Sequence, residues 1–247
     1  MCATARVLPV AGVNGTAVAI TGLVKDYRGL RPLRVKSLHV QRGERVAIAG
    51  FDRTAAEVFV NLLNGAILPD KGEVRLFGRP TSDLRDEDDW LCSLERFGIV
   101  TPRAVLLEQS TIEQNLALPF TLDIDELPED ARERVRELAA EVGLAGATLG
   151  EPAAKAPAAS RMRIHLARAL ALAPDLLVLE HPTLDVPRPE VTSFAQSIRK
   201  IAAARDLTVV AITDDDEFAA IVAERRLKQQ PGTGVLVPAG GWRRWLL

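Results

Sequence analysis

Residues 164–183, IHLARALALAPDLLVLEHPT, decide the fold. The stretch belongs to a helix expected over 160–173 with Ser160 as its N-cap. LLVL (176–179) follows, a fully apolar strand of the kind buried in a parallel sheet. That strand ends on Glu180 and His181, which places a carboxylate and an imidazole at the end of a buried element.

Working outward, strand and helix signals alternate. AVAITGL (17–23) and RVKSLHVQ (34–41) read as strands, and ERVAIA (44–49) as a short, largely apolar strand ending at Gly50. A helix is expected from Thr54 to Leu63, stopped by Asn64-Gly65. GEVRLFG (72–78) and FGIVT (97–101) are further strands. The middle is helical, first over 111–118 and then over 128–144. In the second helix Ala131, Val135, Leu138 and Val142 share a face, and Gly143 suits its C-terminus. Beyond 176–179 come a helix over 189–204, a buried strand LTVVAI (207–212), a helix over 215–224 and a last edge strand within 232–240. Val191, Phe194, Ile198 and Ile201 stripe the first of these helices. Apolar strands separated by helices imply a parallel sheet covered on both faces, interrupted by a helical block near 103–160.

The 247 residues are 47% hydrophobic and carry a net charge of −2. That is ample for a buried core, with no basic excess to point to nucleic acid or an anionic membrane surface. Cys2 and Cys92 lie far apart with no metal-type spacing, which argues against a zinc site or a disulfide framework and for a reducing cytosol. The start, MCATARVLPVAGVNG, is broken by Pro, Gly and Asn and makes a poor signal peptide. No run approaches the ~18 apolar residues a membrane span needs.

Between the strand ERVAIAG and the helix EVFVNLLNG lies Gly50-Phe51-Asp52-Arg53-Thr54-Ala55-Ala56-Glu57, where a phosphate loop would lie. In such a loop, G-x-x-x-x-G-K-[ST], glycines let backbone N–H groups curl around phosphates. The Lys neutralises charge and the Ser/Thr hydroxyl binds Mg²⁺. Here Ala55, Ala56 and Glu57 stand at the second Gly, the Lys and the Ser/Thr, and Val58 continues the helix. Loss of the Lys removes a charge-assisted contact worth roughly 1.5–3 kcal/mol. Glu57 is expected to occupy, electrostatically, the place of a phosphate at the helix N-terminus, with Asp52 adding a second negative charge. Arg53 is the candidate replacement cation, and the alternative is an ordinary charged surface turn.

Residues 164–183 resemble the helix and Walker B segment of ATP-binding-cassette (ABC) ATPases, whose usual text is close to VALARALALDPDLLLLDEPT, and the likeness runs from about residue 16 to 230. Glu180 stands at the family's Mg²⁺-handling Asp and His181 at its catalytic Glu. VKDYRG (24–29) resembles the adenine-stacking loop with Tyr27 as its aromatic; a partly buried strand-end Tyr is the alternative. GIVTPRAVLLEQSTIEQNLALP (98–119) resembles GFVFQDPALLPNLTVLENLALP, with Pro102 at the Gln, in the segment that in the family grips the membrane partner. The signature LSGGQ falls on Ala156-Pro157-Ala158-Ala159-Ser160, Asp185 of the D-loop is kept, and Asp214 replaces the switch His.

The resemblance implies an α/β fold: a P-loop NTPase-type parallel sheet core with an antiparallel β edge and a helical insertion subdomain. It implies one domain, its core about 16–101 and 161–230, its helical part about 103–160 and its tail 231–247. A working member would take ATP and Mg²⁺. Here Tyr27 and Gly50, Phe51, Asp52, Arg53, Thr54, Ala55, Ala56, Glu57 and Val58 would form a vestigial nucleotide site, with Glu180, His181 and Asp214 at degenerate catalytic positions and no metal site. The family works as dimers whose composite sites join the loop and Walker B of one subunit to the signature of the other. With both sides altered, neither a homodimer nor a heterodimer completes a site. The expectation is a cytoplasmic structural or regulatory subunit, peripheral at the inner membrane face. Its partner would be a membrane permease, a second ABC ATPase or both. One alternative is an atypical ATPase with Arg53 for the Lys and His181 as base, where His181 otherwise serves as a hydrogen-bonded structural residue. Another is an interaction module using Trp242 and Trp245.

Overall fold

Antiparallel strands open the chain. β1 (Thr16–Lys25) pairs with β2 (Leu33–Gln41), and the alternation along β2 buries Leu33, Val35, Leu38 and Val40 while charged neighbours face out. The computed structural model describes residues 15–84 and 87–239; the N-terminal segment with Cys2 and the C-terminal stretch with Trp242 and Trp245 lie outside the described residues. β3 (Arg45–Ala49) leads through a tight turn into α1 (Arg53–Leu63). β4 (Lys71–Leu76) and the short β5 (Arg79–Pro80) complete a four-stranded antiparallel sheet ordered β2-β1-β4-β5.

α2 (Glu87–Leu94) and β6 (Phe97–Val100) lead to the helical middle, α3 (Ile112–Ala117), α4 (Glu129–Val142) and α5 (Ala158–Leu170). β7 (Leu176–Glu180), α6 (Arg188–Ala204), β8 (Thr208–Ile212), α7 (Asp216–Val222), β9 (Arg225–Gln229) and β10 (Leu236–Pro238) follow. The second sheet is ordered β10-β9-β3-β8-β7-β6. Its four pairings from β9 to β6 are parallel, and only β10 runs against its neighbour.

Every residue of β7 and β8 is buried, as a strand covered on both faces requires. Their side chains alternate between two apolar clusters. Leu177, Leu179, Val209 and Ala211 join α3, α4, α5 and α6 on one face. Leu176, Val178, Val210 and Ile212 join α1 and the antiparallel sheet on the other. Gly143, at φ 76°, closes α4, with its N–H reaching back to Ala139 and Ala140.

Two local expectations change. α5 begins at Ala158, two residues before Ser160, and Pro157 rather than Ser160 holds the cap position, without a side-chain cap bond. Proline's fixed φ suits the edge of a helix, so the chain turns helical as soon as Pro157 is passed. β9 and α2 are elements the hydrophobic pattern does not announce. Cys92 lies in α2.

Candidate nucleotide site

Parallel strands in this order bring their carboxyl ends to one edge, where ligands of open α/β sheets bind. The turns after β3, β8, β7 and β6 carry Gly50, Asp214, His181 and Arg103 there.

The turn after β3 is shaped by glycine and by its own oxygens. Gly50 has φ +92°, and an added Cβ would lie 2.8 Å from the Gln229 backbone oxygen. Phe51 is buried and stacks on Phe59 with ring centroids 5.0 Å apart, anchoring the turn in the core. Asp52 caps α1: its carboxylate accepts the Ala55 N–H at 2.8 Å, and its carbonyl accepts the Ala56 N–H at 2.8 Å. The Gly50 N–H donates to Asp214 Oδ1 at 2.8 Å. Three loop N–H groups therefore already serve oxygens of the chain itself. Ala55, Ala56 and Val58 are buried, and Ala56, at the Lys position, belongs to the apolar cluster. Arg53 and Thr54 are exposed.

Glu57 is not where the macrodipole argument put it. The anion at the α1 N-terminus is Asp52, while Glu57 lies a turn further in and forms an ion pair with Arg103 at 2.5 Å. Arg103 also forks onto Glu180, with Nη2 donating to Oε2 at 2.6 Å and Nε to Oε1 at 3.2 Å. Glu180 is only 2% exposed, so this guanidinium is its counter-charge. The hydrogen bond to Glu180 holds the Arg103 pKa above its ordinary value, against some desolvation. Arg103 is the residue at this edge that sequence reasoning misses. It sits beside Pro102 in an unstructured turn, and its partners are 46 and 77 residues away in the chain (103 − 57 and 180 − 103).

His181 departs from its expectation as a hydrogen-bonded structural residue. Its Nε2 is buried with no hydrogen-bond partner, and its backbone is left-handed at φ 42°, a strained conformation for a side chain of this size. Its N–H is tied to the Ile212 carbonyl at 2.8 Å. Asp214 lies across from it at the end of β8, and the next residue, Asp215, caps α7 and binds Thr183 and Arg188. His165 lies in α5; burial first, then Arg168 and Arg161, push its pKa down to about 4.

Tyr27 is partly buried at the end of the strand, the second of the two alternatives. It packs partly into the apolar cluster and lines a cavity of about 540 Å³ with Arg28, Arg31, Gly50, Asp52 and Gln229. Burial and then the Asp52 charge push its phenol pKa up. Its ring lies against Gly29, where an added Cβ would come within 2.5 Å of it. Arg53 is not among the residues lining this cavity.

A glycine turn between a buried parallel strand and a capped helix, facing an acidic strand end, defines an α/β protein of the phosphate-loop class. The family model for ABC transporters matches residues 33–184, and the chain belongs to that family. The methionine import ATP-binding protein MetN of Rhizobium etli is 32% identical over 191 residues, covering 76% of this chain and 52% of that protein. The ABC transporter ATP-binding protein YtrE of Bacillus subtilis is 26% identical, covering 76% of this chain and 81% of that protein. The chain spans about half the length of the MetN relatives it matches. Among solved structures, the dimeric bacterial ABC transporter cassette MJ0796 superposes with TM-score 0.74 at 23% identity, over 89% of this chain and 96% of that one. The cbiO1 protein of Clostridium perfringens gives TM-score 0.76 at 19% identity, over 91% and 88%. The α/β cassette fold, with its parallel core and antiparallel edge, is the one the sequence implied.

Proposed function

We propose that this chain is a catalytically degenerate nucleotide-binding-domain subunit, acting as a structural or regulatory partner of a membrane permease or of an active ABC ATPase. The observation that carries this is the Arg103 guanidinium seated between Glu57 and Glu180. A phosphate-loop metal is held by a hydroxyl at the start of the helix and a carboxylate at the end of the neighbouring strand. Here the first group is a carboxylate, and both are paired with a cation of the chain. The residues do not fit a resident Mg²⁺. The loop supplies no ammonium at Ala56, and its Gly50, Ala55 and Ala56 N–H groups are committed to Asp214 and Asp52.

The partner role rests on what surrounds the loop. Val105 and Leu107, at 76% and 41% exposure, present apolar surface on the segment that follows Arg103. The relatives include proteins named as import ATP-binding proteins, and a permease is the partner that name implies for this chain. No helix among the described residues is long and apolar enough to cross a membrane. We place the chain at the cytoplasmic face of a permease, alone or as one half of a nucleotide-binding pair. The cavity beside Tyr27 leaves room for a base, so nucleotide entering there would be sensed rather than hydrolysed.

Calorimetry of ATP with and without Mg²⁺ tests this. The expected result is either no heat or a heat that Mg²⁺ does not alter. The opposing account is an atypical ATPase that uses Arg53. It requires Mg²⁺-dependent binding that Arg53→Ala weakens at least tenfold, about 1.4 kcal/mol; that result would overturn the proposal.

A further inference from the structure

We propose that Arg103 is this chain's own replacement for the divalent cation, so that the site accepts no metal until Arg103 is removed. The inference rests on the degenerate reading of the site and says what fills it. Arg103 lies in the turn after β6, the strand hydrogen-bonded to β7, and its N–H donates to Thr101 Oγ1 at 3.2 Å. That anchorage sets its side chain beside the end of β7. All three of its side-chain nitrogens are engaged: Nη1 with Glu57, Nη2 and Nε with Glu180. A guanidinium is a fixed, planar, always-charged fork, and it suits two converging carboxylates better than a mobile ammonium does.

The charge balance makes the substitution consequential. Two carboxylates face one cation, and Glu180 is shielded from water, so the local charge is −1 with Arg103 present and −2 without it. Hard divalent cations bind carboxylate oxygens at about 2.0–2.6 Å and complete their shells with water. With Arg103 in place three of these oxygens already take its N–H donors, and the guanidinium fills the space between the two carboxylates. With Arg103 truncated, a buried carboxylate and its half-exposed neighbour are left uncompensated. A divalent ion then satisfies both.

The test uses the full chain and Mn²⁺ alone, read by the electron paramagnetic resonance of free Mn²⁺ and by thermal melting. The wild type is expected to bind no Mn²⁺ up to millimolar concentration and to melt at the same temperature with or without EDTA. Arg103→Ala is expected to bind Mn²⁺ at least tenfold more tightly, in the roughly 0.1–1 mM range of weak carboxylate sites, and to be stabilised by it. Adding Glu180→Gln to Arg103→Ala removes that binding, and Arg103→Lys, which keeps a cation, does not create it. If Arg103→Ala unfolds without metal, Mn²⁺ must restore its helicity. Equal Mn²⁺ binding by wild type and Arg103→Ala overturns the inference, as does an Arg103→Ala chain that neither binds nor responds. Such a failure leaves the partner role standing, whereas Mg²⁺-dependent ATP turnover by the wild type overturns the functional reading itself.

Discussion

His165 carries a pH dependence that can be worked out from its surroundings. Its folded pKa is about 4, while an unfolded histidine titrates near 6.5. Between those values the unfolded chain takes up a proton that the folded chain refuses. Its contribution to stability is therefore whole above pH 6.5 and falls as pH drops through the window to 4, by something of order 3 kcal/mol. His165→Gln should flatten the pH dependence over that window, measured by urea denaturation at pH 4.5 and 7; equal slopes in both chains would contradict the assignment. At the phosphate-loop position, Gly50→Ala forces a side chain into positive φ and against Gln229, and is expected to cost about 1–3 kcal/mol. Asp52→Ala removes the α1 cap, costing about 1 kcal/mol, and should lower the Tyr27 pKa toward its ordinary value. Spectrophotometric titration of this single tyrosine reads the second effect; an unmoved midpoint would mean the Asp52 charge does not reach it. At this scale the sequence disclosed the substituted positions and not their new partners. Ala56 and Glu57 are readable by their place in the loop, but the Arg103 pairing joins three distant segments and leaves no local signature.

At the scale of elements, what reads from sequence is what is apolar and periodic. β7, β8, α4 and α6 announce themselves because each buries a continuous run or a regular stripe. α2 has no fully buried residue among those described, so its acidic first turn is its main helical signal. β9, RRLKQ, reads as charged surface, yet it pairs in parallel with β3 and is clamped by Arg225 to Glu44 at 2.6 Å. Tertiary pairing, not propensity, makes it a strand. The same competition moved the start of α5, where Pro157 decided the boundary and Ser160 did not. α3 provides a contrast with a full capping box, in which Thr111 accepts the Gln114 N–H and Gln114 accepts the Thr111 N–H. Thr111→Ala should cost about 1 kcal/mol in urea denaturation. A change within error would mean that the packing of Ile112 and Leu116 alone holds this short helix.

At the scale of the whole molecule, six strands place four loop ends on one edge, and two apolar clusters hold the sheet from either side. This arrangement is the ABC cassette, and none of the substitutions at the loop disturbs it. Ala56 fills core space, Asp52 caps a helix, and Arg103 pairs with two carboxylates. On the proposed reading, these groups hold the scaffold together in place of facing nucleotide and metal, as a subunit kept for its surfaces requires. The fold and the altered motif positions were legible because they reside in local text. The pairing of Arg103 with Glu57 and Glu180 was not, because it depends on contacts between segments. The most direct measurement is steady-state ATP hydrolysis by the purified full chain with Mg²⁺, beside a Glu180→Ala variant. The account predicts two rates indistinguishable from each other and from buffer. Turnover by the wild type that requires Mg²⁺ and vanishes in Glu180→Ala would contradict it.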